Sequence, residues 1–161
     1  EREEVDLNMP AGVDRVLVPV DGSPLSSSAV APALMMGGLF GARATLARLV
    51  EYPRRTESAY LPDAVLAVEQ TLEEGRQAAE VDLDALIEQL GAEGHDVSRE
   101  VRVVAHIAEG ILKLADEISA DMIVMASHGR GGLERLVLGS VTDKVLRGAE
   151  VPVLIVPPAT D

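Results

Sequence analysis

Met122-Ile-Val-Met-Ala-Ser-His-Gly-Arg-Gly-Gly-Leu-Glu-Arg-Leu-Val-Leu-Gly-Ser-Val-Thr142 is the stretch on which the fold turns. The apolar run Met122 to Ala126 predicts a buried strand. It stops at Ser127-His128, and glycines follow at 129, 131 and 132. Glycine carries no Cβ, so such a loop can take positive φ and come close to a ligand. Gly139-Ser140 then opens a helical pattern, with Ser140 expected as N-cap and Asp143 three residues on, as in a capping box. A strand, a glycine loop and a helix N-terminus together suit an anion, because free N–H groups and the helix dipole point at it. The same residues also read as a plain turn and a plain cap. No Lys-Ser or Lys-Thr follows the glycines, so this is not a P-loop. Glu134 stands where the third glycine of Gly-x-Gly-x-x-Gly would be.

The spacing carries more than the glycines do. Gly129, nine residues, Gly139 and Ser140 resemble the signature of the universal stress protein family. That signature is Gly, two residues, Gly, nine residues, Gly, then Ser or Thr. Ala126 stands at the place of its first glycine. By element order the resemblance covers residues 13–158, one domain, with 1–12 as an N-terminal arm and 159–161 as a tail.

The chain has 161 residues, 47% of them hydrophobic, which suits a single domain with a substantial core. No apolar run has the length of a membrane helix and no signal-peptide pattern opens the chain, so a cytoplasmic location is expected. With no cysteine, disulfides and thiolate chemistry are excluded. Fourteen basic against 27 acidic residues give a net charge of −13, which disfavours nucleic acid and anionic membranes as partners. Aromatic residues make up 2%, namely Phe40, Tyr52 and Tyr60, too few to stack single-stranded bases.

Strand and helix patterns alternate along the chain. Val13 to Val20 predicts a strand buried on both faces, ending at Asp21-Gly22. Ser23 can cap a helix with Pro24 at its first position. A helix is expected over 26–40, kinked or broken by Pro32. Ala44 to Val50 predicts the second strand. Arg54-Arg55 follows it, as a solvated pair or a phosphate neighbour. Apolar or small residues at steps of three and four from Val65 to Leu90 predict a long amphipathic helix. Val97 to Val104 alternates with charges, as an edge strand does. Ile107 to Ile118 is a third helix without a good cap. Ser140 to Arg147 is the last helix, and Val151 to Val156 the last strand. Such alternation argues for a parallel sheet.

The resemblance implies the rest: a Rossmann-like α/β fold with an open sheet of five parallel strands, order 3-2-1-4-5, and helices on both faces. Ligands of such sheets bind beyond the strand carboxyl ends, where the winding reverses. It implies ATP as the ligand. Asp21 would contact ribose or adenine, and Pro19, Val20, Leu49 and Met125 would wall the base, although Leu49 also reads as plain core. Backbone N–H groups of Gly129, Ser140, Val141 and Thr142, with the Ser140 hydroxyl and beside Ala126, Gly139 and Arg130, would hold the phosphates. Mg²⁺ would suit a triphosphate bound to so acidic a protein. No base-plus-nucleophile set is visible. His95, His106 and His128 are scattered, which suits neither a metal site nor a dedicated enzyme. A nucleotide-dependent sensor or regulator of the stress response, a slow ATP hydrolase and a non-binding dimeric scaffold are the readings that remain. Its protein partner is not named by the sequence. Many relatives dimerise through the last strand, so a homodimer through Val153–Val156 is expected.

Overall fold

The computed structural model describes residues 12–52, 62–90, 95–127 and 138–157; of 62–64 it describes the backbone only. His128, Gly129, Arg130, Arg54, Arg55 and the arm 1–11 therefore lie outside the described residues. Five strands form one sheet: β1 (Arg15–Pro19), β2 (Arg43–Glu51), β3 (Val97–Val104), β4 (Met122–Ala126) and β5 (Val153–Val156). Their order is β3-β2-β1-β4-β5, every pairing parallel, as expected. Among the described residues five helices connect them: α1 (Pro24–Ser27), α2 (Val30–Phe40), α3 (Pro62–Gln89), α4 (Ile107–Glu117) and α5 (Ser140–Gly148).

The sheet is apolar on both faces because both are covered. Val16, Val18, Leu46 and Val124 point to one side, against Val30, Ala33 and Leu34 of α2 and Leu83 of α3. Leu17, Ala47, Ile123 and Met125 point to the other, against Ile111 and Leu114 of α4 and Val145 of α5. That is why the strands read as near-continuous runs. β3 and β5 are the edges.

Two local expectations change. The helix over 26–40 is two helices, α1 and α2, parted at Ser28-Ala29. Pro32 thus falls in the first turn of α2, where its missing N–H would have had no intrahelical partner anyway. The last strand begins at Val153 rather than Val151. Pro152 precedes the ladder and contributes its carbonyl, which accepts from Ile123 N–H at 3.0 Å.

Candidate functional site

The crevice lies where the winding reverses, between the carboxyl ends of β1 and β4. Leu17 stands opposite Ile123, so Pro19 and Met125, two residues further along each strand, close the same edge. Val20 leaves the strand with its N–H bonded to the Ala47 carbonyl at 2.8 Å.

The turn after β1 is a closed set of hydrogen bonds. Asp21 N–H donates to Ser26 Oγ at 3.0 Å, and Ser23 N–H donates to Asp21 Oδ1 at 2.8 Å. Ser23 Oγ accepts from Ser26 N–H at 3.1 Å, the expected cap with Pro24 at the first helical position. Gly22 sits at φ +77°, which a side chain would strain. Asp21 is half-buried and one of its oxygens serves this turn. It is more structural than a solvated strand-end carboxylate.

The far wall is the start of α5. Gly139, not Ser140, is its N-cap: the Gly139 carbonyl accepts the first helical bond, from Asp143 N–H at 2.9 Å. The expected capping box is absent, because no side chain caps this helix and the Asp143 carboxylate instead takes Arg147 Nε at 3.0 and 3.1 Å. This contact and its charge raise the Arg147 pKa. Ser140, Val141 and Thr142 are then the first three helical residues, whose N–H groups have no intrahelical acceptor. Two bonds fasten this end to β4: Gly139 N–H to the Ser127 carbonyl at 2.9 Å, and Thr142 Oγ1 to the Ala126 carbonyl at 3.2 Å. With the first-turn acid paired to Arg147, the positive end of the helix dipole remains available to an anion.

Ala126 belongs to β4, opposite Val156. It is 5% exposed and packs with Val124 and Val20. Its methyl is core, so the alanine at the motif's first position is absorbed by the strand.

The four residues expected to wall a base do not share one face. Val20 packs on the α2–α3 side, while Leu49 and Met125 pack on the α4–α5 side. Gly110 of α4 makes room for Leu49: a Cβ there would lie 2.7 Å from Leu49 Cδ2. A ligand touching all four must therefore lie across the end of the sheet rather than against one face.

Arg48 was not foreseen. Its Nη2 would be 2.9 Å from a Cβ on Gly22, so the guanidinium lies over that turn. With Val20, Gly22, Ser27, Asp82 and Gln89 it lines a cleft of about 230 Å³ against α3. An arginine in the interior of an otherwise largely apolar strand, one residue before Leu49, was the signal available. His106 is exposed and is the N-cap of α4 through its carbonyl, which accepts from Gly110 N–H at 2.9 Å, with no side-chain cap; its Nδ1 lies 4.0 Å from Glu51 Oε1. No group of three or more potential metal ligands occurs among the described residues. No described helix is long and apolar enough to cross a membrane.

Comparison with known proteins agrees with the fold. The family model described as the universal stress protein family matches residues 12–157. A universal stress protein of Methanocaldococcus jannaschii is 30% identical over 142 residues, covering 88% of this chain and 81% of its own. A solved universal stress protein of Lactobacillus plantarum superposes with a TM-score of 0.79 at 20% identity, over 91% of this chain and 99% of that one. A universal stress protein solved in complex with cAMP superposes at 0.64 with 24% identity, over 92% of this chain and 100% of that one.

Proposed function

The chain belongs to the universal stress protein family, and from that premise we propose that it binds an adenine nucleotide, ATP foremost, as a cytoplasmic sensor or regulator in a stress response. One observation carries the reading. The N-terminus of α5 is fastened to the end of β4 through Gly139 and Thr142, at the point where the sheet's winding reverses. Ser140, Val141 and Thr142 N–H groups there suit phosphate oxygens, with Gly129 and Arg130 of the same motif as further phosphate contacts. Asp21 has one carboxylate oxygen in its turn; a ribose hydroxyl would share the other. Pro19, Val20, Leu49 and Met125 supply an aliphatic rather than aromatic surface for the base. Mg²⁺ would arrive with the triphosphate and offset its charge against that of the protein.

The cAMP complex of a relative bears on the choice of nucleotide. A cyclic monophosphate brings a single negative charge to the N-terminus of α5, whereas a triphosphate brings more charge for the dipole and the free N–H groups to hold. Ala126, at the place of the motif's first glycine, sits in the strand with its methyl in the core, which is compatible with binding. Mass spectrometry of the denatured, freshly purified protein tests the proposal, together with calorimetric titration of ATP, ADP and cAMP with and without Mg²⁺. ATP binding tighter than cAMP is expected. Absence of binding to any of the three would return the chain to the scaffold reading.

The β5 edge belongs to the same proposal. Val153–Val156 pairs with β4 on one side, Leu154 is 37% exposed, and the strand carries no charge to guard its other side. A two-fold mate adding its own β5 would cover it and give a homodimer.

A further inference from the structure

α2 is unlike a surface helix. None of its eleven residues is charged, in a chain of which 25% is. Val30, Ala33, Leu34 and Gly37 are buried against the sheet. The opposite face is apolar too: Met35 is 68% exposed, Leu39 76% and Phe40 54%. Ala31, Met35 and Leu39 fall at steps of four, so they form one stripe along the helix. A helix apolar all round is normally buried, and Leu39 is the most exposed large apolar side chain among the described residues.

We propose that this stripe is a self-association surface, on which a second copy of the chain lays its own α2 about a two-fold axis. Charge selects the occupant. At −13, two copies repel over most of their surface, and the uncharged helix is where they approach at least Coulombic cost. A basic partner would favour the acidic α3 instead. A membrane-surface helix carries lysine or arginine on its flanks. α2 has neither, and Arg43 just beyond it is paired with Asp96 at 2.9 Å. An isologous contact also requires a patch that complements itself. An uncharged apolar stripe does so, and a patch of one charge does not. Met35 and Met36 can adapt their shape to the facing helix, while the small Ala31 lets the two axes come close.

This surface is distinct from the β5 edge, so the two are separable in one experiment. Sedimentation equilibrium of the full chain at micromolar concentration would compare wild type, Met35→Lys plus Leu39→Lys, Ala31→Arg, and Leu154→Asp plus Val156→Asp, with circular dichroism checking the fold. Both α2 variants are expected to have half the mass of the wild type. The β5 variant is expected to keep the α2 pairing and remain at least dimeric. An unchanged mass in the folded α2 variants overturns the proposal. So does a wild type already monomeric, whether its α2 face proves to bind neutral phosphatidylcholine vesicles or is freed for pairing by Val5→Lys plus Leu7→Lys. The first result would assign the face to a membrane, the second to the chain's own first residues.

Discussion

The Thr142 hydroxyl donates to the Ala126 carbonyl at 3.2 Å, across sixteen positions of sequence. The bond is buried and joins the first turn of α5 to the last residue of β4. Thr142→Val keeps the shape and removes the donor. It should lower stability by about 1 kcal/mol in urea denaturation. It should also weaken ATP several-fold in calorimetry, because the helix end loses one of its two fastenings. Reduced stability with full affinity would mean that the position of the helix end does not matter to the ligand.

Gly139 has φ −58° and ψ 150°, which any residue can adopt. Backbone freedom is therefore not what it supplies; under the proposed function it supplies the absence of a Cβ beside the phosphates. Gly139→Ala should cost about 1 kcal/mol of fold stability or less, as a poorer N-cap. It should weaken ATP by about tenfold or more, roughly 1.4 kcal/mol. Equal affinity for ATP by titration calorimetry would remove the start of α5 from the site.

Asp21 accepts from Ser23 N–H in its turn, and two substitutions separate that role from the proposed one at the nucleotide. Asp21→Asn keeps an oxygen for Ser23 N–H but loses the charge; Asp21→Ala loses both. The alanine variant should be less stable by roughly 1–2 kcal/mol, and the asparagine variant close to wild type. Both should bind ATP more weakly. An asparagine variant with wild-type affinity would show that the carboxylate charge is not used.

Gly110 is close-packed. A Cβ there would meet Leu49 Cδ2 and Val104 Cγ1, each at 2.7 Å. Gly110→Ala should destabilise by about 1–3 kcal/mol through overpacking, measured by thermal or urea unfolding. It should displace Leu49, weakening ATP and adenosine in parallel while sparing inorganic triphosphate. Weakening of all three alike would place Leu49 outside the base contact.

The strands were legible because each is apolar on both faces or, in β3, alternates with charge. The order of the sheet came through the motif rather than through any strand. The division of the first helix was half legible: Pro32 announced a break, but its place at Ser28-Ala29 follows from where the prolyl nitrogen can sit without a lost bond. The cap of α5 was misread because Ser-x-x-Asp looks the same whether Asp143 reaches back or forward. Arg147, four residues on, takes it forward. Arg48 was passed over because its neighbour is distant in sequence. The Val20 to Ala47 bond brings β2 beside the Gly22 turn, and no local pattern reports that.

The bond from Gly139 N–H to the Ser127 carbonyl has a consequence for the motif's length. It holds both ends of the intervening segment at a fixed separation, whatever number of residues lies between. Closing a somewhat longer span would add little, since each doubling of a flexible loop costs only about 0.6 kcal/mol of entropy. Backbone closure therefore tolerates insertions between these anchors, and the nine-residue interval from Gly129 to Gly139 is not a demand of the fold. Under the proposed function that interval is instead a ruler for the phosphates, and a chain with three residues inserted there should fold normally yet bind ATP more weakly in titration calorimetry.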